Sequence, residues 1–373
     1  MLINTEKLKI VCSTILATVD SNEVSRITET LELLVKNKIL YLSVTNREYY
    51  AQVKFNVDED IDFHATVNAN LFLKLIANTT SETVELNVSN TDLEVKGNGK
   101  YKLPLIFEDD HLLVLPQITI NNITQQFSIS SDILNSILKF NSKELNKGIV
   151  AKPVQRLYYI DEQGCITFTS GACVNNFSLE KPIKILLNSK IVKLFKLFKS
   201  GDIEFTLGHD SISEEIIQTK VRFENNDISI TALINNEDSL INSVPVKAIR
   251  DRASTLYDYS ITLNRIALLN SINRMLLFTS NSKDIIKPYS KFIFNSSSLD
   301  IYDIDNINTE NVSYVNNNLS LNEPYEALLD LTDLKTTLDN CNDQYINIRF
   351  GNHQAIVLAK NNIYNIIPEC FSA

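Results

Sequence analysis

Glycine is scarce in this 373-residue chain, eight in all, and its placement excludes the common phosphate-cradling loops. Gly97 and Gly99 form Gly-Asn-Gly without the third glycine of a dinucleotide fingerprint. Gly99-Lys100 is followed by Tyr101 rather than Ser or Thr, and it lacks the upstream glycine of a P-loop. Histidine is scarcer still. His64, His111, His209 and His353 stand alone, with no HExxH and no pair at metal-ligand spacing. The five cysteines (Cys12, Cys165, Cys173, Cys341, Cys370) are odd in number and scattered, with no CxxC pair. That argues for reduced thiols in a cytoplasmic setting and against a zinc site. Long apolar runs are missing too: Ile10–Val19 is interrupted by Ser13 and Thr14 and is too short to cross a bilayer. The expectation is a cytoplasmic, soluble protein with no membrane partner.

The search for catalytic chemistry comes back nearly empty. Glu108-Asp109-Asp110-His111 could hold a cation, but an acidic loop between two domains explains it as well. Ser170-Gly171-Ala172-Cys173 superficially suggests a nucleophile turn, yet no base can be argued for Cys173, and a buried thiol is the better reading. No catalytic residue, metal or cofactor is expected.

What is present is a soluble globular composition, 44% hydrophobic and 21% charged, in a chain long enough for two or three domains. A pattern of helices and strands recurs. Helical periodicity at residues 5–19 is followed by strands at Lys38–Val44 and Tyr49–Val57, a short helix capped by Asn68 or Asn70, and three further strands. The order repeats from a helix at Ser130–Ser142 and again from one at Thr262–Leu277, with a last helix at Thr332–Asn340. Behind the second helix of each pass the chain reads ETVELNV, GDIEFTL and DQYINIRF. These start at Val84, Ile203 and Ile346, at intervals of 119 and 143 residues, the second lengthened by an Asn-rich loop near Asn306–Asn318. Self-similarity of this kind predicts an α+β chain of three similar domains, each with two helices and antiparallel strands. The divisions expected are 1–120, 121–248 and 249–373, with boundaries near Gln117–Ile123 and Val246–Ala253.

The stretch SKIVKLFKLFKSG (Ser189–Gly201) is the most informative. On a helix turning about 100° per residue, Ile191, Leu194, Phe195 and Phe198 share one arc and Lys190, Lys193, Lys196 and Lys199 the other, with no acid among them. The chain carries formal charge −10, so this face runs against its overall balance. Basic residues fall on the other expected helices as well: Lys7 and Lys9, Lys74, Lys139 with Lys143, Arg265 with Arg274, and Lys335. Acids gather instead in loops and strands (Asp58–Asp62, Glu108–Asp110, Asp300–Asp305). One lysine-bearing surface helix is ordinary. Six of them in an acidic protein predict one common surface facing a polyanion, bound without sequence preference and with strong salt dependence. No aromatic stacking platform accompanies the lysines, which disfavours single strands and leaves duplex DNA as the expected partner.

These residues bring a family into view. The chain resembles the bacterial-type DNA sliding clamp, the beta subunit of DNA polymerase III, over essentially its full length. Ala65–Leu105 (ATVNANLFLKLIAN…ETVELNV…LEVKGNGKYKLPL) is similar to the second half of the family's first domain. Ala151–Val174 (AKPVQRLYYIDEQGCITFTSGACV) is similar to the start of its second, and Tyr364–Phe371 (YNIIPECF) to its closing strand. The resemblance implies a head-to-tail homodimeric ring with β-sheets outside and helices lining a hole that encircles duplex DNA. Lys190, Lys193, Lys196 and Lys199 would face the DNA, with Arg26, Lys74, Lys139, Arg265 and Lys335. It also implies a pocket for short hydrophobic peptide tails of the polymerase and clamp loader, at Val154, Gln155, Thr169, Gly171, Cys173, Val174, Ile366, Ile367 and Pro368. The dimer contact would bring Ile106 and Phe107 against Leu276 and Leu277.

The departures are specific. The family's Thr-Asp-Gly-His-Arg-Leu run reads Thr169-Ser170-Gly171-Ala172-Cys173-Val174 here. Its Phe-Pro-Asp-Tyr loop is replaced by Glu237-Asp238-Ser239-Leu240, and the tail runs on to Ala373. Such divergence would suit a clamp from a phage or other mobile element. Two other readings compete. A three-domain peptide- or carbohydrate-binding scaffold would explain the strands but not the lysines. A cytosolic hydrolase using Cys173 or the acidic loop would require a thiol- or metal-dependent activity.

Overall fold

The computed structural model describes residues 1–19, 25–59, 61–145, 152–211, 217–255, 257–279, 288–319, 323–351, 355–360 and 362–370. The chain runs three times through one sequence of elements: a strand, a helix, four strands, a second helix and three strands. In the first pass these are β1 (Leu2–Asn4), α1 (Thr5–Leu16), β2 (Thr30–Lys36), β3 (Ile39–Thr45), β4 (Tyr49–Asn56), β5 (Phe63–Asn68), α2 (Ala69–Ala77), β6 (Thr83–Val88), β7 (Asp92–Lys96) and β8 (Lys100–Pro104). A small hairpin, β9 (Phe107–Glu108) and β10 (His111–Leu112), follows. Asp109 and Asp110 both take positive φ, 46° and 63°, so the acidic loop is the turn of this hairpin.

The second pass is β11 (Asn122–Ser130), the helical stretch from α3 (Ser131–Ser136) to α4 (Ser142–Glu144), β12 (Leu157–Asp161), β13 (Gly164–Phe168), β14 (Ala172–Asn176), β15 (Lys184–Asn188), α5 (Ser189–Lys193), β16 (Asp202–Ser211), β17 (Ile217–Glu224) and β18 (Ile228–Ile234). Two short helices, α6 (Asp238–Asn242) and α7 (Val246–Ser254), come next. The third pass is β19 (Tyr259–Asn264), α8 (Arg265–Thr279), β20 (Tyr289–Phe294), β21 (Ser298–Tyr302), β22 (Thr309–Asn318), β23 (Tyr325–Asp330), α9 (Leu331–Asn340), β24 (Tyr345–Phe350), β25 (Ala355–Lys360) and β26 (Ile363–Pro368).

Each pass makes the same two four-stranded antiparallel arrays. One joins the first strand to the last three (β1-β6-β7-β8, β11-β16-β17-β18, β19-β24-β25-β26). The other joins the middle four (β5-β2-β3-β4, β15-β12-β13-β14, β23-β20-β21-β22). The matching segments at Val84, Ile203 and Ile346 lie in β6, β16 and β24, the same strand of each repeat. Arrays from successive repeats then fuse. β18 pairs with β4, making one eight-stranded sheet, and β26 pairs with β14 within a twelve-stranded one, where β19 also meets β22. These seams explain why the compact units do not coincide with the repeats. One unit is Met1–Leu134 with Lys190–Asn235; the other is Asn135–Ser189 with Asn236–Ala373.

Helix starts follow local chemistry. The Asn4 side chain accepts from Lys7 N at 3.1 Å, Asn68 from Leu71 N at 3.0 Å, and Asp330 from Thr332 N at 2.8 Å, each satisfying a first-turn amide. The expected Asn-rich loop at 306–318 is different in the structure. Ten of its residues form β22, with Asn311 and Asn316 exposed and Val312 buried. The boundary expected near Val246–Ala253 is also occupied by structure, helix α7. Its Val246, Ile249 and Ala253 fall at helical spacing just after Pro245.

Candidate nucleic-acid interface and peptide cleft

The Lys-rich stretch is helical for a shorter distance than the periodicity predicts. It is α-helical through Lys193, tightens to a 3-10 turn over Leu194–Leu197, and is extended at Phe198 (φ −90°, ψ 94°). Lysines three apart on one side repel, and no acid within the stretch offsets them. The apolar side fixes the geometry: Ile191, Leu194, Phe195 and Phe198 are all buried. Phe195 meets Phe223 edge-on at 5.5 Å between centroids and Phe205 at 6.0 Å, and Phe198 meets Phe223 at 5.9 Å. Gly201 (φ +84°) ends the segment in the left-handed region, as its position predicts. The two-faced arrangement therefore holds, with Lys190, Lys193, Lys196 and Lys199 all exposed. One cation is offset from a distance: Lys190 Nζ donates to Glu48 Oε1 at 2.8 Å. Among the described residues Lys193, Lys196 and Lys199 form no ion pair.

In the same unit, Lys74 is exposed in the last turn of α2, where a cation complements the helix dipole, and Arg26 is exposed in the turn before β2. Lys9 pairs with Glu6 at 3.1 Å. The other unit holds the remaining positions. Lys139 is exposed, its Nζ 5.1 Å from the Phe140 ring centroid, and Lys335 is half-buried on α9. Arg265 has a structural occupation: its guanidinium donates to Asp343 O at 2.9 Å and Leu338 O at 3.2 Å, closing the end of α9. Arg274 is held by Glu310, and the pairing draws the Glu310 carboxyl below its ordinary range.

The expected peptide-pocket residues divide by strand pleat. Ala172 pairs with Ile366 and Val174 with Tyr364 across the β14–β26 seam. Val154, Val174 and Ile366 share one buried cluster with Ala172, Val357 and Tyr159. Cys173 and Ile367 point to the opposite face, because side chains alternate along a strand. Cys173 is fully buried there and its carbonyl accepts from Asn141 Nδ2 at 3.2 Å; Ile367 joins the core of α8 and α9. At the rim, Gln155 Nε2 donates to Thr169 O at 3.0 Å, and Thr169 Oγ1 donates to Glu144 Oε1 at 2.7 Å. A Cβ on Gly171 would lie 2.4 Å from Ile366 O, so the seam tolerates only glycine there. Pro368 is half-buried opposite Ala355. Sequence reasoning missed Ile241, Val244, Ile249 and Ala253, which come from α6, α7 and the turn between them and complete the cluster.

The expected dimer residues sit on their separate units. Ile106 is half-buried and tied to β5, its amide donating to Thr66 O at 2.9 Å; Phe107, in β9, is half-buried. Leu276 packs partly on the α8–α9 core, whereas Leu277 is 64% and its neighbour Phe278 55% exposed.

Among the described residues, no group of three or more His, Cys, Asp or Glu side chains is arranged to hold a metal; His353 lies outside them. Burial pushes the Cys12 thiol up to about 12 and Cys165 well above its ordinary value, so neither forms thiolate near neutral pH. Iodoacetamide on the native protein at pH 8 should label half-buried Cys370 and spare Cys12, Cys165, Cys173 and Cys341 until denaturant is added. Rapid native labelling of Cys165 would contradict this packing. No helix of the described residues is long and apolar enough to cross a membrane.

No family model and no curated protein matches the chain. Its fold does match solved structures from end to end. The DNA polymerase sliding clamp from Bacillus subtilis superposes with a TM-score of 0.75 at 14% identity, covering 100% of this chain and 99% of that one. A DNA polymerase III beta subunit from Pseudomonas aeruginosa, solved bound to griselimycin, gives 0.80 at 13% with the same coverage. The Helicobacter pylori beta clamp bound to a DNA ligase peptide gives 0.74 at 14%, again covering 100% and 99%. Three repeats of paired four-stranded arrays, each with two helices, are therefore the fold of the bacterial DNA sliding clamps, carried by a sequence far diverged from theirs.

Proposed function

We propose that the chain is a DNA polymerase processivity factor: a non-enzymatic, cytoplasmic sliding clamp that closes head to tail as a homodimer around duplex DNA. Its domains are 1–120, 121–248 and 249–373, and it tethers a polymerase, and meets a clamp loader, through short hydrophobic peptides. The carrying observation is the unfinished seam. The last strand of the second repeat (β18) pairs with the third middle strand of the first (β4), and β26 pairs likewise with β14. The same rule leaves β8 and the Thr309–Ser313 half of β22 with one edge each unpaired among the described residues. Unpaired edges are templates for strand addition, and β8 of one copy against β22 of the next obeys the rule already used twice. A heterologous contact of this kind closes into a ring when its rotation allows. Exposed Leu277 and Phe278 on α8 supply apolar surface beside such a contact.

The lysine side of the α5 segment supports duplex DNA as the threaded partner, and the ligase peptide on the Helicobacter pylori clamp supports a peptide-binding cleft. Negative-stain imaging with sedimentation tests the assembly. Rings of twice the 42.3 kDa chain mass are expected, and Ile106→Asp with Leu277→Asp should yield single chains. The protein should stay on a nicked circular duplex when a loader places it there and slip off once the circle is cut. A solid monomeric particle, or retention indifferent to cutting, would favour a scaffold that binds without encircling.

A further inference from the structure

The apolar face at the β14–β26 seam already has an occupant. Helix α7 lies across both strands, setting buried Ile249 and Ala253 against Ala172, Val174, Val357 and Ile366. We propose that α7 is a displaceable cover: apolar peptides that dock at this seam compete with it, so access to the clamp's partners is gated by its own chain. The proposal rests on the peptide-docking reading above.

Three observations point the same way. The helix is short, nine residues (VKAIRDRAS), below the length at which isolated helices persist. Only Ile249 and Ala253 of the nine are buried, with Val246 half-buried, and the rest is largely charged. It is tied to the sheet through Arg250, whose Nη1 and Nη2 reach the Asp161 carboxylate at 2.8 and 2.5 Å. Open clefts also border it. A cavity of about 320 Å³ opens between α7 and the sheet, lined by Val174, Ala253, Arg250 and Tyr364. Another, of about 540 Å³, flanks it at Tyr159, Asp161, Ile241 and Lys247. Few buried apolar contacts and solvent on its flanks mark the low-stability end of a structure, from which moving elements are drawn. The sheet beneath cannot stand bare, since its seam residues are nearly all fully buried. Displacement of α7 therefore requires a replacement of similar apolar character, such as an extended peptide with two hydrophobic anchors. A cover in equilibrium with a ligand lowers apparent affinity by the fraction of time the site is closed.

The test follows the cysteine introduced by Ala253→Cys, beneath the cover, by mass-resolved alkylation of the full chain. The probe is a synthetic Gln-Leu-Ser-Leu-Phe peptide. Saturating probe should speed alkylation at that position at least tenfold. Releasing the tie by Arg250→Met, or by Asp161→Asn should the first variant fold poorly on circular dichroism, should speed it without probe and tighten probe binding about fivefold or more. Binding that leaves the position protected, or equal affinity in wild type and both variants, overturns the cover. Absence of probe binding in every form, even where alkylation shows α7 open, overturns the docking reading itself.

Discussion

Exchanging Lys193 and Lys196 together for glutamate should abolish most of the protein's hold on duplex DNA while leaving its oligomeric mass unchanged. Both ammonium groups are exposed and, among the described residues, free of ion pairs, so their loss breaks nothing in the fold. Each phosphate contact contributes a slope of about −0.9 to log K against log salt, so losing two per chain should flatten the dependence by roughly 2. The reversed charges add repulsion. Affinity for a short duplex at low salt should fall by an order of magnitude or more, and clamp-dependent DNA synthesis with it. Lys190→Glu alone should do less, because Lys190 is already offset by Glu48. Anisotropy titrations on a labelled duplex across a salt series read both quantities. An unchanged slope would remove this face from the DNA interface.

The second large effect lies under the lysines. Phe205 is fully buried at the centre of a ring cluster, 5.2 Å from Phe127, 5.7 Å from Phe223 and 6.0 Å from Phe195 between centroids. Phe205→Ala should cost about 3–5 kcal/mol, the range for emptying an aromatic site in a packed core. The loss should appear in the denaturation of the unit that holds β16, and it should loosen the α5 segment, since Phe195 packs directly on the removed ring. Urea unfolding followed by tyrosine fluorescence measures the first, and hydrogen exchange at Leu194–Leu197 the second. A shift below about 1 kcal/mol would mean that the site collapses around the gap, as some cores do.

How far the sequence could be read depended on which periodicity carried the information. Amphipathic helices announce themselves: Ile191, Leu194, Phe195 and Phe198 are buried as their spacing predicts. Strands with one buried face, such as β6, β16 and β24, were visible enough to expose the repeat. Some strands buried on both faces were not. β2 (TLELLVK) is almost wholly buried and shows no alternation. The seams β4–β18 and β14–β26 join segments distant in sequence, and no local pattern encodes them. In the candidate cleft, Val154, Val174 and Ile366, chosen by chain position, fall in one buried cluster, but the pleat that turns Cys173 and Ile367 away could not be known before the register was. Helix α7 carried a legible signal in Val246, Ile249 and Ala253, hidden because a run with four charged residues in nine resembles a linker.

The two compact units also bear on how the chain is made. The first is assembled from Met1–Leu134 and Lys190–Asn235, with the segment between them belonging to the other. A ribosome that has delivered Leu134 has not finished that unit. Strands β16–β18, which β4 and β11 pair with, emerge only after about 100 more residues, some 5–20 s later at ordinary translation rates. During that interval the edge of β4 is bare. Until β18 arrives, Tyr49–Val53 of β4 lack the backbone partners they have in the finished sheet, and an unpaired strand edge is a template for the wrong neighbour.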